Sequence, residues 1–217
     1  VELRSHFLFL KMSTSWYDRH VLPRMIDWAC GVSLFSRQRQ MLIPLAHGRV
    51  LEVGLGTGRN LPFYDRQRVR QVVGVDPALS LHPIARRRVL ASGLDVELMG
   101  LSAERLPAPD ASFDTVVSTW TLCSIPDPVA ALREMRRVLK PGGQLLFCEH
   151  GRAPEPDVAR WQTRLQPYWK PLAGGCHLDR DIPALLAEAG FACDVQQRYL
   201  WGPRVLSYHY WGGAVAA

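Results

Sequence analysis

The stretch Val50-Leu51-Glu52-Val53-Gly54-Leu55-Gly56-Thr57-Gly58-Arg59-Asn60 decides the fold. Its first residues form an apolar run that is typical of a strand covered on both faces. Three glycines at alternate positions follow, and they let the backbone turn tightly and approach a ligand closely. A nicotinamide-binding loop would have its third glycine at position 59, where this chain has Arg59. The stretch therefore predicts a strand, a glycine-rich loop and a helix that bind a different kind of cofactor.

A second predicted strand, at residues 71–75, ends in the carboxylate of Asp76. A doubly wound sheet would place Asp76 beside the glycine loop, at the carboxyl edge of the sheet. A carboxylate there can accept hydrogen bonds from both hydroxyls of a ribose and leaves no room for a phosphate. The alternative is that Asp76-Pro77 only ends a strand and begins a helix. The glycine loop at this spacing favours ribose binding.

The composition indicates one domain with a full hydrophobic core and no membrane span. The chain has 217 residues, of which 47% are hydrophobic, and no apolar run approaches the length of a span. The net charge of +6 comes from 23 Arg and 3 Lys, which are scattered apart from residues 86–88. Successive helical residues point in different directions, so this triplet indicates a solvated face, and we expect no nucleic-acid partner. An acidic substrate or an anionic membrane surface stays compatible with the charge.

The five cysteines, at positions 30, 123, 148, 176 and 193, show no C-x-x-C spacing. This argues against a disulfide framework and against a zinc site, so we expect no metal ligands and a reducing, cytoplasmic location. We expect residues 13–217 to form the single domain, because Met12-Ser13 is typical of a natural start. Residues 1–12 would then be an addition or an upstream extension.

The rest of the chain alternates predicted helices and strands. Cap helices are expected at about 15–46, and strands at 96–99, 112–119 and 144–149, the last preceded by the turn Lys140-Pro141-Gly142-Gly143. Two more strands are expected at 191–196 and 207–211. This order predicts an α/β, Rossmann-like fold with a seven-stranded, mostly parallel sheet, an antiparallel edge strand and extra N-terminal helices.

The glycine loop, Asp76 and the Lys140-Pro141-Gly142-Gly143 turn resemble those of bacterial class I S-adenosylmethionine (SAM)-dependent methyltransferases of the methyltransferase type 11 superfamily. The resemblance implies SAM as cofactor and S-adenosylhomocysteine as product. It implies a loop that packs against the amino acid and ribose parts of SAM, and a polar contact to adenine near Ser102, where family members often carry Asp. The implied cofactor residues are Tyr17, Glu52, Gly54, Gly56, Gly58, Asn60, Asp76, Pro77, Ser102, Ala103, Glu104 and Thr119. For Tyr17, packing of an ordinary amphipathic helix is an equal alternative.

A narrower pattern is similar to the methyltransferase-like thiol S-methyltransferases. It comprises Leu122-Cys123-Ser124, Cys148-Glu149-His150, the segment at residues 175–180 and the tail at residues 208–212. The resemblance implies small thiols or sulfide as methyl acceptors. Those proteins carry an N-terminal membrane anchor that we do not expect in this chain, so membrane contact would be peripheral at most.

Methyl transfer is an in-line displacement that needs an aligned, deprotonated acceptor and exclusion of water. His150 and His177 are the candidate catalytic residues, because an imidazole can accept a proton near neutral pH. The alternative for His150 is a histidine that caps backbone groups at a strand end. A nucleophilic Cys176 is disfavoured, since methyl transfer needs no covalent intermediate. The candidate substrate contacts are Cys123, Cys176, Trp161 and Trp169, the two tryptophans as part of a lid, of the core or of an interfacial helix.

We therefore expect a SAM-dependent methyltransferase that acts on a small molecule, with a thiol or sulfide as the favoured acceptor. One alternative is an N- or C-methyltransferase for a phospholipid or a quinone precursor. The alternative from another class is a SAM-binding protein without transferase activity.

Overall fold

The structure is a computed structural model that describes residues 21–78, 82–200 and 202–217. Its strands are β1 (Gly48–Val53), β2 (Val69–Val75), β3 (Val96–Met99), β4 (Phe113–Thr119), β5 (Leu139–His150), β6 (Phe191–Tyr199) and β7 (Tyr208–Ala216). Its α-helices are α1 (Leu22–Ala29), α2 (Ser33–Leu42), α3 (His82–Ser92), α4 (Pro128–Val138), α5 (Pro156–Leu172), α6 (Ile182–Glu188) and α7 (Arg204–Ser207). Short 3₁₀ turns occupy Ile43–Leu45 and Leu61–Phe63. Tyr17 lies outside the described residues, so its role stays a prediction.

The strands form one sheet in the order β3-β2-β1-β4-β5-β7-β6. The pairs from β3 to β5 are parallel, whereas β7 is antiparallel to both β5 and β6. The predicted fold is confirmed, and the antiparallel strand lies next to the edge strand β6. The order reverses between β1 and β4, which is where a doubly wound sheet leaves a crevice for ligands.

Alternate residues of the central strands pack on opposite faces of the sheet. Leu51 belongs to the core that includes Leu132 of α4 and Leu186 of α6. Val50 belongs to the core on the other face, together with Leu42 of α2. Because both faces are covered, the strands read as apolar runs, and this is why β1 could be recognised in the sequence.

The N-terminal helix α1 is attached to the glycine loop by Asp27. The Asp27 carboxylate accepts hydrogen bonds from Arg59, at 2.8 and 3.0 Å, and from Arg88, at 2.7 and 3.1 Å. Burial alone would raise the pKa of Asp27, but the hydrogen bonds from Arg88 and Arg59 hold it well below its usual range. These ion pairs hold α1 against the glycine loop and α3.

Two elements differ from the expected ones. Strand β5 begins at Leu139 because Leu139 already pairs with Phe113, and the ladder then shifts so that Gln144 pairs with Thr115. The residues between bulge out of the ladder around Gly142, whose φ is 77°. After the glycine loop, a 3₁₀ turn replaces the expected helix, because the backbone becomes extended at Tyr64. Within the described residues, no helix combines the length and the apolar composition needed to cross a bilayer.

Candidate active site

The glycine loop has a backbone that only glycine adopts without strain. Gly54, Gly56 and Gly58 have φ values of 72°, 57° and 77°. A Cβ atom on Gly54 would lie 2.0 Å from the Thr121 hydroxyl, so the loop also depends on the missing side chain at this position. The loop and the segment after β4 therefore approach each other closely at the carboxyl edge.

Asp76 links the end of β2 to the glycine loop. Its Oδ2 accepts a hydrogen bond from the Gly56 N–H at 2.8 Å, and its Oδ1 accepts one from the Ala78 N–H at 2.8 Å. The carboxylate is buried, with 8% of its surface exposed. This position is the one that ribose binding requires, and the contact itself stays a prediction.

A buried polar network lies beneath the loop and is centred on Asn60. The Asn60 amide donates to Glu52, at 3.1 Å, and to Thr119, at 2.9 Å, while its oxygen accepts from Arg39 at 2.9 Å. The second oxygen of Glu52 accepts from the Tyr64 hydroxyl at 2.7 Å. Burial raises the pKa of Glu52 to about 7, although Tyr64 and Asn60 oppose the increase. The predicted cofactor residues Glu52, Asn60 and Thr119 thus bind one another, and their contacts to a cofactor stay predictions.

A cleft of about 460 Å³, including the part open to solvent, lies between the glycine loop and the N-terminal helices. The cleft is lined by loop residues together with Cys30, Arg39, Trp120 and Thr121. Burial raises the pKa of Cys30, and Arg39 opposes the increase.

Trp120 is held in an unusual conformation at the base of this cleft. Its φ is 52°, a left-handed value that strains a residue with a bulky side chain. Its N–H donates to the Cys148 carbonyl at 2.8 Å, and the Arg39 guanidinium lies 4.6 Å from its ring centroid. The Phe35 ring packs edge-on at 4.9 Å. The Trp120 Nε1 is buried without a hydrogen-bond partner among the described residues, so it is a donor available to a ligand.

Three side chains from separate parts of the chain meet beyond Thr121, and we name Cys123, His150 and Cys176 the thiol–imidazole cluster. The two sulfur atoms lie 3.5 Å apart and share a hydrogen bond. The Cys176 sulfur lies 3.6 Å from Nε2 of His150 and 3.9 Å from its Nδ1. Cys123 and His150 are buried, whereas Cys176 is partly exposed. The cluster therefore has one accessible side, at Cys176.

Backbone hydrogen bonds fix the three segments that carry the cluster. Glu149 is fully buried and accepts from the Thr121 N–H at 2.9 Å and from the Ser118 hydroxyl at 2.9 Å. The His177 N–H donates to the Cys123 carbonyl at 2.8 Å. The Gln166 amide donates to the Cys176 carbonyl at 3.2 Å. The cluster is thus positioned by the ends of β4 and β5 and by α5.

The surroundings of the cluster favour negative charge on one sulfur. The hydrogen bond with Cys123 lowers the pKa of Cys176 against the effect of burial, and Trp169 and Arg180 lower it further. The same interaction, with burial, raises the pKa of Cys123 well above its usual value. Burial would lower the pKa of His150, but the interactions with Cys123 and Glu149 more than offset it, so the pKa is raised.

The geometry can be compared with known proteins at this point. A family model described as Methyltransferase domain matches residues 51–147. The chain is 36% identical over 165 residues to the thiol S-methyltransferase TMT1B of Rattus norvegicus, with 73% of this chain and 66% of that protein covered. It is 34% identical over 143 residues to the phosphatidylethanolamine N-methyltransferase of Cereibacter sphaeroides, with 65% and 68% covered. The chain belongs to the class I SAM-dependent methyltransferases. It spans just under two thirds of the length of the rat relative.

A solved structure shows the same fold. The SAM-dependent methyltransferase of Thermotoga maritima superposes with a TM-score of 0.65 at 24% sequence identity, covering 93% of this methyltransferase and 98% of that chain. SAM is the cofactor of the family, and the structure of this methyltransferase fits it. The glycine loop, Asp76 beside it and the cleft-lining Trp120, whose Nε1 has no hydrogen-bond partner among the described residues, would hold its amino acid and ribose parts.

The remaining predicted residues of this methyltransferase lie at different distances from its cleft. Ser102 is exposed and donates to Glu104 at 2.6 Å, while Glu104 accepts from the Asp127 N–H at 2.8 Å. Ala103 is buried in the core and Pro77 is exposed. The contacts of this segment with adenine stay predictions. Ser102 stands where family members often carry Asp, and no other side chain of the segment takes the place of that Asp.

The two predicted histidines and the two predicted tryptophans are separated by the structure. His150 contacts Cys176, whereas the pKa of His177 is lowered by burial and by Arg180 and Lys170, and its ring is not part of the cluster. Trp169 directs its indole toward Cys176, but the Trp161 side chain is 54% exposed. Their catalytic and substrate roles stay predictions, and the geometry favours His150 and Trp169.

Sequence reasoning did not identify four residues that shape the cleft and the cluster: Cys30, Arg39, Trp120 and Arg180. The first two are in the N-terminal helices, where no motif marks them. The φ of Trp120 has no sequence signal because the residue is not glycine or asparagine. Arg180 ends the segment at residues 175–180 that resembles the thiol methyltransferases, so it could have been found there.

Proposed function

We propose that this methyltransferase transfers the methyl group of SAM to the sulfur of a small thiol or of sulfide. The observation that carries the proposal is the thiol–imidazole cluster, which is partly exposed at Cys176. Thr121 lines the cleft, and Cys123 follows it by two residues. A site of sulfur atoms and an imidazole suits a small, polarisable acceptor. The name of the rat relative as a thiol S-methyltransferase supports the same acceptor.

When bound, SAM supplies a methyl group on a positively charged sulfonium sulfur. The acceptor must present a lone pair in line with the breaking bond, and for a thiol the reactive form is the thiolate. The net reaction converts a thiol and SAM into a methyl thioether, S-adenosylhomocysteine and one proton. In this chain, His150 faces the accessible side of the cluster, and Arg180 donates to the Leu122 carbonyl beside it. The Arg180 charge favours the thiolate form of an acceptor.

Helix α5 packs beside Cys176 and can limit the access of water to the cluster. The indole of Trp169 lies beside Cys176, and Gln166 on the same face binds the Cys176 and Leu178 backbone. Another part of the surface of α5 exposes Trp161, over which Arg164 packs at 5.4 Å. Exclusion of water strengthens the electrostatic interactions within such a site.

A second candidate function is N-methylation of a phospholipid headgroup. Its support is the name of the Cereibacter sphaeroides relative and the exposed apolar side chains of α5, where Tyr168 is 74% and Leu172 is 63% exposed. Such side chains suit the surface of a bilayer. The first candidate accounts for the buried cluster, which an amine acceptor does not require.

The test measures S-adenosylhomocysteine release with small thiols, sulfide, phosphatidylethanolamine vesicles and a quinone precursor. We expect turnover with thiols or sulfide. His150→Ala is expected to lower kcat by about 10²- to 10⁴-fold, the usual contribution of a group that handles a proton. His177→Ala is the matched control and is expected to keep most of the activity. Turnover on vesicles alone, or SAM binding without turnover on any acceptor, would contradict the proposal.

A further inference from the structure

We propose that Cys123, His150 and Cys176 form a zinc site with one open coordination position. The donor atoms, two thiol sulfurs and one imidazole nitrogen, all lie within 4.8 Å of one another. Two thiolates and one imidazole with a free fourth position are a ligand set of catalytic zinc. Soft sulfur donors of this kind select zinc over magnesium or calcium. The binding of zinc does not depend on the proposed function, whereas the role that we assign to the metal rests on the proposed function.

Two of the three distances in the cluster match the edges of a tetrahedron around zinc, and the third, between the Cys123 sulfur and the His150 ring, is within 4.8 Å. With zinc–sulfur bonds of ~2.3 Å and zinc–nitrogen bonds of ~2.05 Å, the expected edges are about 3.8 Å between sulfurs and about 3.6 Å between sulfur and nitrogen. The observed distances are 3.5 Å between the Cys176 and Cys123 sulfurs and 3.6 Å from the Cys176 sulfur to Nε2 of His150. A metal ion could therefore enter with small side-chain movements.

The cluster also has the supporting contacts that a ligand set needs. The Cys123 and Cys176 carbonyls are fixed by His177 and Gln166. The Trp169 Nε1 is buried without a partner of normal hydrogen-bond geometry among the described residues, yet its effect on the Cys176 pKa places it beside that sulfur. A metal-bound thiolate would give this N–H an acceptor, as outer-shell donors commonly do in metal sites.

The charge balance points to the ligand of the fourth position. Zinc with two thiolates is neutral, which suits a buried site, and an incoming thiolate would make the total charge −1. Arg180 interacts electrostatically with Cys123, Glu149 and Cys176, so its cation is available to balance that charge. The thiol of the substrate would lose its proton to solvent on binding zinc, and the bound thiolate would be the methyl acceptor. In the metal-bound protein His150 would act as a ligand, and the activity lost in His150→Ala would then be lost with the metal.

The site could not be recognised from spacing, because each ligand comes from a different loop and the chain has no C-x-x-C pair. Cys123 follows β4, His150 ends β5 and Cys176 lies between α5 and α6. The sheet order, which places β4 beside β5, brings Cys123 and His150 together, and the hydrogen bond from the His177 N–H to the Cys123 carbonyl holds the Cys176 segment against them.

The test loads the reduced, chelator-treated full-length protein with Co²⁺ and follows its absorption, then displaces Co²⁺ with Zn²⁺ in equilibrium dialysis. We expect one metal ion per chain, intense tetrahedral d–d bands and a sulfur-to-cobalt charge-transfer band. Cys123→Ser and Cys176→Ser are expected to weaken zinc binding roughly 100-fold or more. Cys193→Ser, on the edge strand, is the matched control and is expected to bind normally. Retained SAM binding and circular dichroism show that each variant is folded.

The outcomes separate this inference from the proposed function. A thiol acceptor such as 2-mercaptoethanol is expected to alter the charge-transfer band, and chelation is expected to abolish thiol turnover. Full thiol turnover by protein without metal, with no cobalt spectrum, would overturn the inference and leave the proposed function intact. A disulfide between Cys123 and Cys176 in place of metal binding would also overturn it. A cobalt spectrum without turnover on any thiol would support the site and refute the proposed function.

Discussion

Glu52 is a buried carboxyl group whose ionisation couples folding to pH near neutrality. Its pKa is raised from 4.5 to about 7, chiefly by burial. Between these two pH values, the folded protein holds a proton that the unfolded chain has released. The free energy of unfolding therefore falls as pH rises through this window, and the whole loss is present above pH 7. At about 1.36 kcal/mol for each pH unit, a change from 4.5 to about 7 corresponds to about 3.4 kcal/mol.

Glu52→Gln removes this titration while keeping the shape of the side chain. The amide oxygen can still accept from Tyr64, but the amide nitrogen meets the donor of Asn60, which adds a penalty that does not change with pH. We expect the wild type to lose about 3 kcal/mol relative to the variant between pH 4.5 and pH 8. The magnitude needs no correction for solvent screening because the group is fully buried.

The assay is urea unfolding at several pH values in that range, with the protein kept free of metal. The wild type alone is uninformative, because burial of His209 lowers its pKa to about 4. This histidine makes stability rise with pH between about 4 and 6.5, opposite to Glu52. The difference between the wild type and Glu52→Gln cancels the contribution of His209. Parallel stability curves for the two proteins would refute the reasoning.

Three further substitutions test the loop, the ribose acceptor and the N-terminal helices. Gly54→Ala and Gly142→Ala both place a side chain at a φ near 75°, which is expected to lower the free energy of unfolding by about 1–2 kcal/mol. Gly54→Ala also creates a clash with Thr121, so we expect it to lower the free energy of unfolding by about 1–3 kcal/mol more than Gly142→Ala does, as measured by urea unfolding. Asp76→Asn is expected to weaken SAM binding roughly 10- to 100-fold by calorimetry, whereas the exposed Asp194→Asn leaves it unchanged. Asp27→Asn breaks the two arginine pairs of α1 and is expected to reduce stability by about 1 kcal/mol at pH 7, and by less as pH falls below about 4.

Each of these predictions has an outcome that contradicts it. Equal stability of the two alanine variants would mean that the loop and the threonine segment separate in solution. Unchanged SAM binding in Asp76→Asn would place the ribose elsewhere. An Asp27→Asn variant that is no less stable than the wild type at pH 7 would show that α1 is not held to the loop by its ion pairs.

The sheet could be predicted from the sequence because its central strands are covered on both faces. Apolar runs such as the one at Val50 then mark strands directly, and Gly142 marks the bulge within β5. The early start of β5 depends on strand pairing, and the 3₁₀ turn after the glycine loop depends on the extended backbone at Tyr64; apolar periodicity reports neither.

The candidate site was predictable only where one loop carries the signal. The glycine loop and Asp76 lie where the spacing indicated, and Gly56 donates to Asp76 as the topology requires. The contact between His150 and Cys176 joins residues 26 positions apart, and the cluster needs the adjacency of β4 and β5. The strained Trp120 exists because tertiary packing overrides its backbone preference.

The destination of the methyl group is the most direct test of the account. SAM with a trideuterated methyl group would be incubated with the protein, a small thiol and phosphatidylethanolamine vesicles together, and the products identified by mass spectrometry. We predict a thioether that carries the trideuterated methyl group, formed in equal amount to S-adenosylhomocysteine. Label on the lipid amine, with the thiol unmodified, would contradict the central claim.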